Sequence, residues 1–195
     1  GGTIRIANGC RVSEGFVEEV GMPRSWLARV QIVEYLRAFL FGRLGWSPMN
    51  AMLIVSGAFG LFRRTVVIEA GGYRTDTVGE DMELIVRLHR WCRMARRPYR
   101  IVFVPDPICW TEAPDTVEVL RRQRTRWQRG LCETLWTHRR MLFNPRYGRI
   151  GCASLPQFLA FDLAAPLLET AGLVLMPLFF LLGLIQLELL ARYFA

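Results

Sequence analysis

The chain has 195 residues, enough for one sizeable domain with an appendage, and 52% of them are hydrophobic. Every one of its 25 basic residues is arginine, and the formal net charge of +8 favours polyanionic or membrane-surface partners. The five cysteines are odd in number, widely spaced and without a CxxC pair, so a disulfide framework and a zinc site are both disfavoured. Free thiols are typical of a reducing compartment.

Strand-like and helix-like segments alternate along the chain, which predicts an α/β fold. The chain opens on a strand-like run, and because a domain rarely begins inside a sheet, we expect the C-terminal portion of a longer protein. The predicted elements, in chain order, are a strand at 3–7, a buried or interfacial helix at 25–44, short strands at 53–55 and 59–62, a short helix at 65–70, an amphipathic helix at 80–95, a strand at 99–104 closed by Pro105-Asp106-Pro107, and a long helix capped by Asp115 and running to about Leu142.

The C-terminal segment differs in kind from the rest. Residues 171–187 carry no charge, and with outer limits at Pro166 and Leu190 the segment is long enough to cross a bilayer core of about 30 Å. A buried core helix is the alternative. Just before it, 154–168 carry Asp162 in an apolar run, which favours an interfacial helix. Fifteen arginines lie between Arg87 and Arg149, and a basic flank before a span predicts a cytosolic globular part.

Two acids stand where the helix at 80–95 begins. Glu80 and Asp81 follow Gly79, so both fall in the first turn, where the helix dipole favours the ionised form that a general base needs. Adjacent helical positions point about 100° apart, so only one of the two side chains can face a given substrate. The alternative is that these acids only cap the helix.

The long helix carries an amide, a guanidinium and an indole on one face. Gln123, Arg126 and Trp127 are spaced i, i+3 and i+4. Gln123 can donate to a phosphate oxygen, Arg126 can bind two oxygens at once, and Trp127 can lie against a sugar ring. Arg124 points elsewhere and is expected to brace a neighbouring acid. An amphipathic surface helix with Trp127 as a core anchor is the alternative.

Together these motifs resemble the second half of a processive family 2 glycosyltransferase, the group of the cellulose, chitin, hyaluronan and poly-N-acetylglucosamine synthases. The resemblance rests, in chain order, on Ser56-Gly57-Ala58, Gly71-Gly72-Tyr73, Glu80-Asp81 and Gln123-Arg124-x-Arg126-Trp127, ahead of a membrane span. It covers nearly the whole chain. It implies the C-terminal portion of a GT-A type nucleotide-sugar transferase domain at 1–150, followed at 151–195 by an amphipathic interface helix and a transmembrane helix.

The resemblance also implies roles for individual residues. Asp81 would be the catalytic base that takes the proton of the acceptor hydroxyl. Gln123 and Arg126 would bind the nucleotide diphosphate, and Trp127 would pack on the acceptor sugar. Ser56 and Gly57 would line the acceptor site. Arg124 and Glu80 are also expected among the substrate-binding residues. Residues 25–44 and 154–168 would seat the domain on the bilayer. A cysteine often stands in this family where Ser56 stands here.

One family feature is missing from the sequence. The Asp-x-Asp motif that binds a divalent cation, Mg or Mn, in the complete enzyme occurs nowhere in the chain. We therefore expect this chain alone to be inactive.

The expected activity is inverting transfer of a sugar from a nucleotide-diphosphate donor, with UDP as the expected nucleotide, to a growing β-linked polysaccharide at the cytoplasmic (inner) membrane. The expected partners are the donor, a saccharide acceptor and the lipid bilayer. Transfer of one sugar to a lipid carrier is an alternative, and a structural membrane anchor is another. A membrane-tethered nucleic-acid-binding module is a remote alternative, because the acids and glycines fall in the wrong places for it. Nucleic acid is therefore not an expected partner.

Overall fold

The computed structural model describes residues 1–186 and 188. By contacts the chain divides into two compact units, Gly1–Leu155 and a second that begins at Pro156. Within the first unit, β1 (Gly2–Ile6) pairs in parallel with β4 (Val104–Thr111), and β2 (Arg11–Ser13) forms an antiparallel hairpin with β3 (Phe16–Glu19). A parallel pair joined across helices is the α/β arrangement that the sequence predicted.

The strand predicted at 99–104 is wrong in its position, because pairing with β1 begins only at Val104. The register shifts between Gly2, which lies opposite Val104, and Thr3, which lies opposite Ile108. The Pro-Asp-Pro segment is therefore a bulge inside the strand, where a residue without an N–H is tolerated. The hydroxyl of Thr3 donates to the carbonyl of Pro105 at 2.6 Å and fixes the bulge.

The two short strands predicted at 53–55 and 59–62 are also wrong. The backbone around Met52 is buried but makes no strand ladder. Side chains satisfy it instead, because the hydroxyl of Ser154 donates to the carbonyl of Ala51 at 2.7 Å and His89 Nε2 lies 2.8 Å from the carbonyl of Met52. An apolar run cannot by itself distinguish a strand from a buried extended segment.

The helices lie close to their predicted positions, except that the long helix ends at Thr137 and not at about Leu142. Their bounds are α1 (Trp26–Tyr35), which continues through a π-helical stretch (Leu36–Phe41) into α2 (Gly42–Trp46), then α3 (Arg64–Glu69), α4 (Glu80–Met94) and α5 (Val117–Thr137). The predicted cap of α5 is wrong, because the side chain of Thr116 accepts from the N–H of Val119 at 3.4 Å. Asp115 accepts instead from Asn8 Nδ2 at 3.2 Å.

The C-terminal helix begins earlier and ends earlier than predicted. Helical segments follow one another from Ile150 to Leu181, and among the described residues this is the one helix long and apolar enough to cross a membrane. Its parts are a π-helical turn (Ile150–Ser154), α6 (Leu155–Gln157), a second π-helical stretch (Phe158–Ala164) and α7 (Ala165–Leu181). Gly183, with a φ of +69°, lies in the turn just after α7, a conformation that favours glycine. The predicted limits Leu187 and Leu190 lie outside the described residues.

Two apolar clusters hold the first unit together. One joins β1 to α1 and α5, and the other joins α4 to the extended segment around Met52. Their buried members are Ile4, Ile6, Tyr35 and Ala113 in the first, and Met52, Val55, Ile85 and Phe103 in the second. Phe39 packs on the first and Leu40 on the second, so the π-helical stretch lies where both clusters meet.

Candidate active site

The loop that leads into α4 is fastened to α5 by one carboxylate. Glu133 accepts from the backbone N–H of Val78 at 3.0 Å and from the hydroxyl of Thr77 at 2.9 Å. Its other oxygen accepts from Arg129 Nε at 2.7 Å, one turn earlier on α5. These three hydrogen bonds lower the pKa of Glu133 from its usual 4.5 to about 2. The start of α4 therefore has a fixed place on α5.

Two glycines bring the same elements into backbone contact. A Cβ atom on Gly79 would lie 2.8 Å from the Cα atom of Gly130 on α5, and a Cβ atom on Gly130 would meet Gly79 at the same distance. Such a distance leaves no room for a side chain. Both positions require glycine, and Gly79 immediately precedes the two acids that the sequence singled out.

Asp81 faces the segment that contains Ser56 and Gly57. Its Oδ2 accepts from the backbone N–H of Gly57 at 3.2 Å, and its Oδ1 accepts from the N–H of Met82 at 2.7 Å. Burial raises the pKa of Asp81, and the two backbone N–H groups oppose that rise only in part. The carboxylate is thus fixed in direction and more basic than a surface aspartate.

The remaining acceptor-side residues take different positions. Gly57 is in direct contact with Asp81 through its N–H, while the carbonyl of Ser56 accepts from the N–H of Phe59 at 3.0 Å in a 3₁₀ turn. Glu80 is exposed at the first position of α4, next to the half-buried Asp81. Only Asp81 of the two acids therefore faces this turn, as the helical geometry predicted.

The three predicted residues of α5 differ in environment. The side-chain oxygen of Gln123 is buried and has no hydrogen-bond partner among the described residues. Arg126 is exposed. Trp127 is partly buried against the first apolar cluster, with its ring 6.5 Å from Tyr35 and 6.1 Å from Phe39 between centroids. Trp127 is therefore a packing residue as well as a candidate sugar platform.

Arg124 braces both an acid and the indole. It forms an ion pair with Glu34 of α1, and its guanidinium lies 4.6 Å above the ring of Trp127. The expectation that Arg124 holds a neighbouring acid is confirmed. Any contribution of Arg124 to binding would therefore act through the ring that it covers.

One turn of chain connects the acid to the indole. Gly57 donates to Asp81, and Phe59, two residues later, packs on the apolar cluster that also holds Trp127. The ring of Phe59 also lies against Gly2 of β1, where a Cβ atom would come within 2.1 Å of it. The segment 57–59 therefore bridges the two predicted halves of the site.

Arg43 was not singled out from the sequence, although it interrupts an apolar helix. Its side chain is 4% exposed, lies 4.7 Å above the ring of Phe39, and donates from Nη1 to the carbonyl of Gly2 at 3.5 Å. Burial lowers the pKa of Arg43 to about 10, and the nearby charge of Asp81 opposes that fall. Arg43 thus stays charged at neutral pH, close to the candidate base.

A buried ionic network supports the first turn of α4, two residues beyond Asp81. Both oxygens of Glu83 accept from Arg87 Nε, at 3.0 and 3.1 Å, and His138 Nε2 lies 3.2 Å from one of them. Burial acts to raise the pKa of Glu83, but the hydrogen bonds from His138 and Arg87 outweigh it and the pKa falls. Arg87 also donates to the carbonyls of Ala70 and Gly72.

The described residues do not fit a divalent-cation site of their own. None of their His, Cys, Asp and Glu side chains form a group of three that could hold a metal ion. The two oxygens of Asp81 already accept from backbone N–H groups. The described residues therefore offer no metal site of their own.

Comparison with known proteins places the chain in a family. The glycosyl transferase family group 2 profile matches residues 11–190, and the chain belongs to this family. Its fold is accordingly of the GT-A type, with mixed α/β content and a parallel strand pair. No solved structure matches the chain.

Two of the similar curated proteins are synthases of the same polymer. The poly-beta-1,6-N-acetyl-D-glucosamine synthase of Staphylococcus aureus (strain COL) is 35% identical over 122 residues, which is 59% of this chain and 28% of that protein. The enzyme of the same name from Staphylococcus epidermidis (strain ATCC 35984) is 31% identical over 120 residues, with the same coverage. The chain thus spans about a quarter of the length of these relatives.

Proposed function

We propose that this chain is the acceptor side and membrane attachment of a processive, inverting glycosyltransferase that extends a β-linked polysaccharide from a UDP-sugar. The similarity to two poly-beta-1,6-N-acetyl-D-glucosamine synthases favours N-acetylglucosamine as the sugar. The observation that carries the proposal is the fastening of the loop before Asp81 to α5. The helix start that bears the base and the helix that bears Gln123 and Arg126 are joined through Gly79 and Gly130.

The proposed reaction is one in-line displacement at the anomeric carbon. A hydroxyl of the acceptor attacks that carbon, its proton moves to a carboxylate oxygen of Asp81, and the bond to the diphosphate oxygen breaks. The nucleoside diphosphate leaves with the bonding electrons, so an α-linked donor gives a β-linked product. General-base assistance of this kind contributes about 10²–10⁴-fold. A carboxyl of raised pKa suits the task, because it is a stronger base.

The residues of α5 would hold the two substrates. Arg126 is exposed and suited to two diphosphate oxygens at once. The side chain of Gln123 is half-buried, and its amide N–H₂ would donate to a diphosphate oxygen. Trp127, held from one face by Arg124, would offer its other face to the acceptor sugar.

Substitution of the base tests the proposal. In the complete enzyme, Asp81→Asn removes the proton acceptor but keeps the shape of the side chain, so turnover should fall by about 10²–10⁴-fold or more while UDP binding persists. Transfer is measured with labelled UDP-N-acetylglucosamine and binding by calorimetry. The matched control is Asp76→Asn, an exposed acid paired with Arg74 in the loop before α4, which should keep the parent rate. Parent-level turnover in Asp81→Asn would show that the base is another group.

Product analysis separates polymer synthesis from transfer of a single sugar. A ladder of oligomers from one primer indicates processive extension, whereas one product of fixed length indicates the alternative, a single transfer to a lipid carrier or another acceptor. The isolated chain should give no transfer at all, because no three of the His, Cys, Asp and Glu side chains that the structure describes could together hold a metal ion. Transfer by the isolated 195-residue chain would contradict that expectation.

We further propose attachment to the inner membrane with the catalytic part in the cytosol. The helix Ile150–Leu181 has the length and composition of a span, and fifteen arginines precede it between Arg87 and Arg149. On α1 and the stretch after it, an exposed apolar face is suited to the bilayer surface. Its members are Trp26, Val30, Val33, Phe41 and Leu44. Protease protection of inside-out and right-side-out vesicles tests the orientation.

A further inference from the structure

A compact basic surface encloses the first turn of the candidate span. The chain from α5 folds back over that turn, because Phe143 N–H donates to the carbonyl of Gly151 at 2.9 Å. A Cβ atom on Gly151 would lie 2.6 Å from the carbonyl oxygen of Met141 and 2.5 Å from that of Asn144, so the contact is close. The segment 136–149, here called the collar, therefore packs against Gly151 through its residues 141–147.

The collar carries four exposed arginines and no acid. They are Arg139, Arg140, Arg146 and Arg149. Between Glu133 and Asp162 the sequence contains no acidic residue at all. Arg93 adds a fifth guanidinium, since a Cβ atom on Gly148 would come within 2.7 Å of its Nη1. The local charge is strongly positive and has no counter-charge within its own segment.

Two large aromatic side chains of the collar are turned to solvent. Trp136 is 71% exposed and Phe143 is 67% exposed. Phe143 also has a φ of +56°, a conformation that is uncommon for a bulky residue. The guanidinium of Arg139 lies 4.7 Å above the ring of Trp136. Exposed aromatic rings beside arginines are typical of surfaces that rest at the level of lipid headgroups.

We propose that the collar is a binding surface for the headgroups of anionic phospholipids. The four arginines would donate to the phosphates, and the rings of Trp136 and Phe143 would enter the interface between headgroups and acyl chains. Such a surface recognises a phosphodiester with net negative charge. A membrane is the expected source of this group, because the collar directly precedes in the chain a segment suited to the bilayer core. The inference rests on the membrane attachment proposed above and not on the sugar-transfer reaction.

Lipid titration of the complete protein tests the collar. Native mass spectrometry of the detergent-solubilised protein counts bound phosphatidylglycerol and, separately, phosphatidylcholine. A basic residue near an anionic surface strengthens attraction by up to about five-fold. We therefore expect the wild-type protein to prefer phosphatidylglycerol by at least about ten-fold, and R139Q/R140Q/R146Q/R149Q to lose that preference.

A second quadruple variant, which removes the same number of positive charges, provides the control. R11Q/R63Q/R64Q/R122Q removes four exposed arginines outside the collar and should keep the preference. W136A/F143A should weaken binding of both lipids alike. Because all four arginines of the collar are exposed, the quadruple variant should unfold at the parent temperature.

Three results would overturn the inference: equal binding of both lipids by the wild-type protein, a preference that survives in the collar variant, or an equal loss in the control variant. Competition by inorganic phosphate at concentrations comparable to the lipid would indicate a site for free anions and would also overturn it. A protein that binds phosphatidylglycerol through the collar but makes no polymer would leave this inference intact and contradict only the proposed function.

Discussion

Gly79 and Gly130 touch through their backbones. This contact joins α4, which carries the candidate base, to α5, which carries the candidate diphosphate-binding residues Gln123 and Arg126. Gly79 immediately precedes Glu80, and Gly130 follows Trp127 by three residues. Small changes at these glycines should therefore displace Asp81 relative to α5.

Gly130→Ala should destabilise the protein by about 1–3 kcal/mol, because the new methyl group has to push the two backbones apart. In the complete enzyme it should also lower kcat, since positioning errors of about 1 Å cost up to 10²-fold. Gly45→Ala is the control, because its Cβ would meet nothing within 4 Å in a helix. Thermal unfolding and turnover are measured on both, and parent values for Gly130→Ala would contradict the close contact.

Glu133→Gln should destabilise the protein at neutral pH and less so in acid. The pKa of Glu133 is lowered to about 2 by Val78, Arg129 and Thr77, so its ionised form stabilises the folded state above the unfolded pKa near 4.5. That contribution is lost as the pH falls through the folded pKa. The unfolding temperatures of wild type and variant should differ at neutral pH and converge only as the pH falls from about 4.5 to about 2. A constant difference across that range would show that the charge is not what matters.

Trp127→Ala should reduce both stability and acceptor use. The ring packs against Tyr35 and Phe39, so its loss should cost about 3 kcal/mol, the lower end for a buried aromatic residue. Acceptor KM should rise more than donor KM, and Trp127→Phe should restore stability more than acceptor use. Trp136→Ala, measured in detergent, is the control, because it makes the same substitution at an exposed position. It should change stability by no more than about 0.5 kcal/mol. Equal rises in both KM values would favour a packing role alone.

Glu83→Gln should be severely destabilising, by about 3–5 kcal/mol, because it leaves the half-buried Arg87 without its counter-charge. The side chain of Glu83 is 1% exposed and receives hydrogen bonds from Arg87 and His138. Glu69→Gln, which breaks an exposed pair with Arg97, should cost less than about 1 kcal/mol. Chemical denaturation of both variants compares the pairs, and similar small effects would mean that the buried pair is not coupled to folding.

The elements that the sequence predicted well are those with a strong local pattern. The helix at 80–95 matches α4 to within one residue, since its apolar positions repeat with a helical period and a glycine precedes its two acids. The strands at 53–55 and 59–62 failed because side chains far away in the chain, Ser154 and His89, contact the carbonyls of Ala51 and Met52 just before them. The N–H of Phe59 instead donates to the carbonyl of Ser56 in a 3₁₀ turn. The strand at 99–104 failed because only its pairing with β1 fixes where it begins.

The candidate site divides in the same way. The sequence by itself determined which groups are chemically capable. The carboxylates at the start of one helix, and the amide, guanidinium and indole at helical spacing on another, can each be read from neighbouring positions. Only the tertiary structure decided that Asp81 faces Gly57, that Glu133 fastens a loop 55 residues away, and that Arg43 is buried near the base. These relations arise from packing between distant segments, and no local periodicity encodes which distant segment a side chain will meet.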